Sequence, residues 1–343
     1  MATKKPEPEV TKAEFDHDFF MATVNKQFGD EAITDLSTQA KFGAPGTYIP
    51  TSSDTLNHAL GIGGIPRGRV IEIYGLESSG KSTLALDIVA NAQRMFPNLP
   101  VFYGDAENAL NPEHVKMMGV NISKGRFYLA QTGDVDEMLN LTYTAAKAGA
   151  SLCVVDSIAA LSSADEMKEE NTTKSIVAGI SKQIRSHLRK VVPILTETRC
   201  TVIYINHITY KPNVMYGSPE TTPGGKGLPF FASVRLDVRK KENLMNMKTS
   251  EIYGIKSNVK VVKNKVAPPL KTALFDIIFG QGIDRVGGLI DASIEAEVVA
   301  KTGGWLTFDE LKFNGRAAMR DALTAKPALE DSIRKALNQT KAA

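Results

Sequence analysis

Eight consecutive residues constrain this chain more than any other stretch: Gly75-Leu76-Glu77-Ser78-Ser79-Gly80-Lys81-Ser82. They fit the pattern G-x-x-x-x-G-K-[ST]. Glycines there let backbone N–H groups turn inward around phosphate oxygens, and the following helix offers its positive end. The pattern requires a strand before it and a helix after it. Both are predicted: 69–74 (RVIEIY) is a short apolar strand, and 82–95 has helical periodicity. Lys81 then reaches the β- and γ-phosphates, and the Ser82 hydroxyl holds Mg²⁺.

The rhythm continues beyond this unit. Strands are predicted at 101–104, 127–130, 152–155 and 201–205, and helices at 112–118, 135–148 and 176–192. Such alternation gives a parallel sheet with helices on both faces. Residues 231–279 lose the helices. Their runs 234–238, 258–262 and 273–279 predict an antiparallel extension of the same sheet. The stretch 284–343 reads as mostly helical. At the other end, 1–10 is a polar tail. The span 11–29 predicts a helix with Phe15, Phe19, Ala22 and Lys26 on one face, stopped by Gly29. A linker at 37–53, a short helix at 55–60 and a turn at 61–68 follow. The expected fold class is α/β: a core over 41–280, an N-terminal helical piece over 1–40 and a small C-terminal domain over 281–343. No internal repeat is visible.

Composition removes other classes. With 343 residues, 43% apolar and 23% charged, the chain is neither wholly disordered nor a coiled coil. No apolar run is long enough for a membrane span, and MATKKPEPEV has no apolar stretch behind its charges to form a secretory signal. Cys153 and Cys200 both lie in apolar runs, which argues for a reducing compartment and against a disulfide framework. A cytoplasmic protein with no membrane partner is expected. The formal charge of +3 is too small to establish a nucleic-acid partner, so the placement of charge has to decide.

Several placements point to chemistry. Leu152-Cys153-Val154-Val155-Asp156 is an apolar strand ending in a carboxylate where ligands collect in such sheets; Asp156 either positions a metal or caps the next helix. Glu107, two residues past the strand 101–105, is a candidate to activate a water, with Asp105 as its rival. Lys182, Arg185, Arg189 and Lys190 share one face of the helix 176–192, which is either a solvated face or an anion-binding one. Two stretches without apolar period, 162–174 and 208–226, flank that helix. The second holds Tyr210, Lys211, Met215, Tyr216, Gly224, Gly225 and Lys226. Aromatic-bearing loops beside a basic face suit a single-stranded nucleic acid. Lys263 and Lys265 project to one side of a strand, either defending a sheet edge or facing an anion. His207 ends the strand 201–205 and opens the second loop; as a residue alone it reads as a strand-end cap. The five histidines and two cysteines show no zinc-ligand spacing.

Taken together, these segments resemble the RecA-type recombinases over about residues 50–300. The resemblance rests on EIYGLESSGKST at 72–83, DAENALNP at 105–112, VVDSIAAL at 154–161, VMYGSPETTPGG at 214–225, FASVRLDVRK at 231–240 and KVVKNKVAPP at 260–269. It implies a P-loop NTPase core and a DNA-dependent ATPase that uses ATP and Mg²⁺. Such a protein forms a helical filament on single-stranded DNA and pairs it with homologous duplex DNA. Single-strand-binding and mediator proteins are the implied accessory partners. By the same resemblance, residues 75–82 and Thr83 hold the nucleotide, Glu107 is the catalytic carboxylate and Asp156 the metal-side acid. The DNA loops are 162–175 and 207–226, Lys263 and Lys265 belong to the ATP of a neighbouring subunit, and the N-terminal helix docks on an adjacent core. His207 becomes the link between nucleotide and DNA. Some positions depart from the bacterial pattern. Asn206-His207 replaces Asn-Gln and is similar to the UvsX-type phage members; Pro229 replaces a lysine; Asn111 and His114 stand where an Asp and a Tyr flank the adenine. The cell is then bacterial, or a phage host. Two other readings share the core. A ring helicase would carry a separate N-terminal domain, where only some 50 residues precede this core, and a non-catalytic DNA-coating filament would lack Glu107 and the metal site.

Overall fold

The computed structural model describes residues 15–29, 32–33, 43–163, 174–210, 218–246 and 249–340, without the side chains of 174–178 and 338–340. Two units divide the chain, 1–41 and 42–343. In the first, helix α1 (His17–Phe28) begins at Asp16, whose carboxylate accepts from Phe19 N at 2.9 Å, and stops at Gly29. No residue of α1 is buried. Positions 11–14 of the predicted helix lie outside the described residues.

The second unit opens with β1 (Tyr48–Ile49), α2 (Asp54–Leu60) and β2 (Ile65–Pro66), where β1 and β2 pair. The expected linker at 37–53 is therefore structured from residue 48: Ile49, Thr51 and Ser53 are buried, and Ser53 caps α2. The α/β section follows as β3 (Val70–Gly75), α3 (Lys81–Met95), β4 (Val101–Asp105), α4 (Pro112–Met117), β5 (Phe127–Ala130), α5 (Val135–Lys147), β6 (Leu152–Asp156), α6 (Lys174–Thr198) and β7 (Thr201–His207). A small ladder of β8 (Thr209–Tyr210) and β9 (Glu220–Thr221) precedes α7 (Gly227–Phe231). Then come β10 (Val234–Met245), β11 (Ile252–Asn264), β12 (Thr272–Ile278) and β13 (Gly282–Ile283). The chain continues through α8 (Arg285–Glu295), β14 (Ala300–Thr302), β15 (Trp305–Phe308), β16 (Leu311–Asn314), α9 (Gly315–Ala325) and α10 (Pro327–Thr340).

Nine strands form one sheet in the order β13-β12-β11-β10-β3-β7-β6-β4-β5. From β10 to β5 the neighbours run parallel; β11, β12 and β13 add antiparallel. This is the mostly parallel sheet with an antiparallel extension that the alternation predicts. Strands β3, β4 and β6 are buried almost throughout, because helices cover both faces of that half. Leu56 and Leu60 of α2 and Leu84 and Ile88 of α3 pack with Ile71 and Ile73 on one face. On the other, Val135 and Met138 of α5 and Leu188 and Val191 of α6 pack with Val70 and Val202. Cys153 and Cys200 are buried and free.

Two differences from expectation have physical causes. Helix α6 runs past residue 192 and through Pro193, which costs a hydrogen bond and crowds the turn before it. Burial overrides that cost, since Leu188, Val191 and Leu195 continue one apolar stripe. The region 284–343 is mostly helical as expected, but the strands β14, β15 and β16 between α8 and α9 form an antiparallel sheet that was not. Leu306 and Phe308 alternate into a third apolar cluster with Leu289, Met319 and Leu337, a period of two that helical counting overlooks.

Candidate active site

The phosphate loop leaves β3 at Gly75 and enters α3 at Lys81. Glycine is required at both ends. A Cβ on Gly75 would lie 2.1 Å from Val238 O, and one on Gly80 (φ 97°) would lie 2.4 Å from Ile277 Cδ1. The far wall of the loop is β11, where Ser257 Oγ donates to Ser79 O at 2.9 Å. The contents of the loop fit an anion. Ser79 Oγ is buried with no hydrogen-bond partner among the described residues, and Lys81 Nζ donates to a backbone carbonyl of its own loop, Leu76 O, at 2.8 Å. Burial pushes the Lys81 ammonium below its ordinary value, against the pull of Asp156, Glu107 and Glu77. An ammonium held this way, at the positive end of α3, favours a phosphate group.

Asp156 ends β6 beside the loop. Burial pushes its carboxyl up; hydrogen bonds from Ser82 and Tyr103 oppose that, and the Tyr103 hydroxyl donates at 2.9 Å. Ser82 and Asp156 are therefore adjacent, a hydroxyl and a carboxylate of the hard-oxygen type that Mg²⁺ takes. Tyr103 is a supporting residue that motif reading missed; its place on β4, next to β6, becomes apparent only with the strand order.

Asp105 and Glu107, the two rival carboxylates, have different surroundings. Asp105 is buried, and its carboxylate accepts from Leu110 N (2.9 Å), Ala109 N (3.3 Å) and Gln131 Nε2 (3.2 Å), so it holds the 106–110 loop in shape. The Glu107 side chain is 39% exposed and, among the described residues, is held only through Oε1, by Ser157 Oγ at 2.7 Å and His207 Nε2 at 3.1 Å. It retains an oxygen for a substrate or water. His207 lies directly opposite Gly75 in the β3–β7 register. Asn206, before it, donates to Pro223 O at 3.0 Å and to the buried Glu72, which also pairs with Arg235. Sequence patterns gave no sign of Ser157 beyond its place after Asp156.

Other candidates sit further out. Asn111 caps α4, accepting from Glu113 N (2.9 Å) and His114 N (3.3 Å), so its carbonyl oxygen is already engaged. Across from α4, a Cβ on Gly282 would meet Met118 Sδ at 2.9 Å. The β12–β13 turn, with exposed Phe279, therefore neighbours that helix. Lys263 and Lys265 are not beside the loop of their own chain. Lys263 is level with Arg235 and Glu72, three residues before Gly75, and its Nζ donates to Pro229 O (2.7 Å) and Phe230 O (2.9 Å) at the end of α7. Burial, then Lys265 and Arg235, push its ammonium down. Lys265 lies beyond the end of β11 and is exposed, so the two lysines do not share a strand face as their spacing predicts.

Lys182, Arg185, Arg189 and Lys190 are exposed on α6, while Ile184 and Leu188 behind them are buried. Gly224 (φ 84°) and Gly225 (φ 72°) approach the same helix closely: a Cβ on Gly224 would lie 3.1 Å from both Ile158 and Ile184, and one on Gly225 3.0 Å from Ser181. Lys226 is exposed beside them. Tyr210 is exposed on β8, whose pairing with β9 gives the second loop an ordered root. Residues 164–173 of the first loop, and Lys211, Met215 and Tyr216 of the second, lie outside the described residues.

A phosphate loop on β3, an acid on β6 and a carboxylate beyond β4 define a P-loop α/β protein with a RecA-like core. The family comparison agrees: the RecA N-terminal domain model matches residues 17–284. Protein RecA of Streptomyces coelicolor is 42% identical over 325 residues, covering 94% of this chain and 84% of that relative. Protein RecA of a Nocardioides species is 44% identical, covering 92% and 89%, and that of Chloroherpeton thalassium 41%, covering 91% and 85%. The chain belongs to the RecA family. A recombinase role in DNA recombination and repair goes with that membership. Among the described residues, no helix is long and apolar enough to cross a membrane.

Proposed function

We propose that this recombinase is a DNA-dependent ATPase that polymerises as a helical filament on single-stranded DNA and pairs it with homologous duplex. One observation carries the ATPase reading: Glu107, beside the phosphate loop, is hydrogen-bonded from the roots of both candidate DNA loops. In this reading residues 75–83 hold the phosphates of ATP, and Lys81 neutralises the β- and γ-phosphates. Glu107 accepts a proton from the attacking water, and His207 reports the state of the γ-phosphate to the second loop. Ser82 and Asp156 hold Mg²⁺, which supplies charge neutralisation on the phosphate oxygens when bound. Asn111, His114 and Phe279 border the base. Lys182, Arg185, Arg189, Tyr210, Gly224, Gly225 and Lys226 line the single-stranded DNA path, together with Lys211, Met215 and Tyr216.

Lys263 and Lys265 serve the nucleotide of the next subunit, which is consistent with their distance from their own loop. Helix α1 with residues 1–40 docks on an adjacent core over 41–280, and 281–343 forms a small C-terminal domain. Electron microscopy of the protein with single-stranded DNA and an ATP analogue tests the assembly: helical filaments are expected, whereas closed rings point to a helicase. Mixing tests the trans lysines. Glu107→Gln subunits combined with Lys263→Ala/Lys265→Ala subunits form some composite sites with every group intact, so activity should return; an inactive mixture overturns the trans assignment.

A further inference from the structure

The roots of both loops reach the reaction centre through one atom. Ser157 follows the metal-side Asp156 and opens the single helical turn Ile158–Ala160 that leads toward the first loop. Its Oγ donates to Glu107 Oε1 at 2.7 Å. His207 ends β7 and opens the second loop, and its Nε2 lies 3.1 Å from the same Oε1. Among the described residues no hydrogen bond reaches Oε2.

This arrangement has chemical consequences. Two donors on Oε1 occupy its lone pairs, leave water only Oε2, and fix the orientation of the whole group. Each donor is tied to a different loop. The backbone of Ser157 accepts from Ala160 N at 3.1 Å, within the turn that starts the first loop. His207 N donates to the Asn206 carboxamide, which itself donates to Pro223 O where the second loop returns. A Cβ on Gly224, the next residue, would lie 3.1 Å from Ile158 of the turn, so the end of the second loop lies against the beginning of the first.

We propose that Ser157 is a positioning residue that, with His207, parks Glu107 in the DNA-free chain, and that DNA seated in both loops withdraws the two donors and frees the carboxylate for water. The inference rests on the reading of Glu107 as the base. It adds the regulation of that base: each engaged loop releases one donor and raises turnover in part, and turnover is highest when both loops are engaged.

The test compares ATP turnover with and without single-stranded DNA across a set of variants, together with affinity for a non-hydrolysable ATP analogue. Losing one charge-assisted donor, Ser157→Ala should raise DNA-free turnover about tenfold and change the DNA-stimulated rate less than about twofold. The stimulation ratio therefore shrinks while analogue affinity holds. Ser157→Cys, a near-isosteric weaker donor, should fall between Ser and Ala, and it carries the test if Ser157→Ala fails to bind the analogue. Ser157→Ala/His207→Ala should show the highest DNA-free turnover of all. Glu107→Gln should silence turnover in every background. An active Glu107→Gln overturns the assignment of the base itself. If Glu107→Gln is silent but the Ser157 variants keep the wild-type stimulation ratio, or lower both rates in parallel, the parking role fails while the base assignment stands.

Discussion

The two halves of the main sheet treat polar residues in opposite ways. In the parallel half, helices cover both faces, and every polar side chain on a strand must be repaid by a partner. Glu72 has Arg235 and Asn206, Asp105 has three donors, and Asp156 has Ser82 and Tyr103. In the antiparallel half, the long β10–β11 hairpin carries Lys240, Lys241, Glu242 and Asn243 in the open, where water solvates them at little cost. A polar residue in the first half is therefore informative about chemistry, whereas one in the second half can be neutral. Mutations should reproduce that asymmetry.

The largest effect belongs to the reaction centre at the carboxyl edge of the parallel half. Glu107→Gln should leave binding of an ATP analogue within about twofold of wild type and lower turnover by about 10²–10⁴-fold, because the proposed role loses only proton acceptance. Lys81→Ala should remove both. Analogue titration beside a steady-state ATPase assay separates the two. Turnover of Glu107→Gln within a few-fold of wild type would return Glu107 to the solvated class of the other half.

Next in size is the buried pair. Glu72 is fully buried, Arg235 reaches it while lying over the Tyr74 ring at 4.7 Å, and Asn206 adds one weak bond at 3.3 Å. Arg235→Ala strands the Glu72 charge in the core, which should cost about 3–5 kcal/mol in chemical denaturation. Replacing both partners by leucine should recover more than half of that loss, since no charge is then left behind. A single-site loss below about 1 kcal/mol would mean that Glu72 is protonated or hydrated in the native chain.

What could be read beforehand follows the same division. Strands of the parallel half declare themselves as short apolar runs, and the loop 75–82 needs only a strand and a helix around it, so its order along the chain was legible. The hairpin was visible only in its buried portion, 234–238 and 258–262, since its outer residues carry solvated charges without an apolar period. Partnerships across strands were hidden altogether. Tyr103 and Asp156, or Ser157 and Glu107, are 53 and 50 residues apart, and only the order β7-β6-β4 makes them neighbours. The different surroundings of Asp105 and Glu107 were hidden likewise, since they rest on the backbone N–H groups that Asp105 accepts from.

His187 extends the comparison to pH. It is buried between α6 and β7, 2.7 Å from the Tyr204 hydroxyl, and burial, with Lys190 nearby, lowers its pKa to about 4. The unfolded chain binds that proton near the ordinary value of about 6.5 and the folded chain does not, so unfolding takes up a proton between those values. Stability should therefore be complete above about pH 6.5 and fall as pH drops toward 4, by about 3 kcal/mol at most. His187→Gln, which can still hydrogen-bond Tyr204, should flatten this dependence. Denaturation midpoints at a series of pH values give the slope, and an equal slope in the variant would assign the acid sensitivity to other groups.

The smallest effect is expected at the hairpin, where it is most diagnostic of the asymmetry. Lys256 on β11 meets Glu242 on β10 at 3.1 Å beside a register shift, with the Glu242 side chain 54% exposed. The pair looks as good in distance as those of the buried half, but water competes for both charges and two long side chains must be ordered to form it. Glu242→Ala should therefore change stability by no more than about 0.5 kcal/mol, and added salt should erase the change. Lys256→Ala should cost slightly more, because that ammonium also faces the buried Asp276 and the more exposed Asp291, whose carboxyls burial pushes up and Lys256 draws down. The ordering puts Arg235→Ala far above Lys256→Ala because of burial, and Lys256→Ala just above Glu242→Ala because of its added carboxylate neighbours. If Glu242→Ala instead cost about 1.5 kcal/mol or more, insensitive to salt, the hairpin would be enforcing partners as strictly as the parallel half, and its exposed charges would then have to be read as chemistry too.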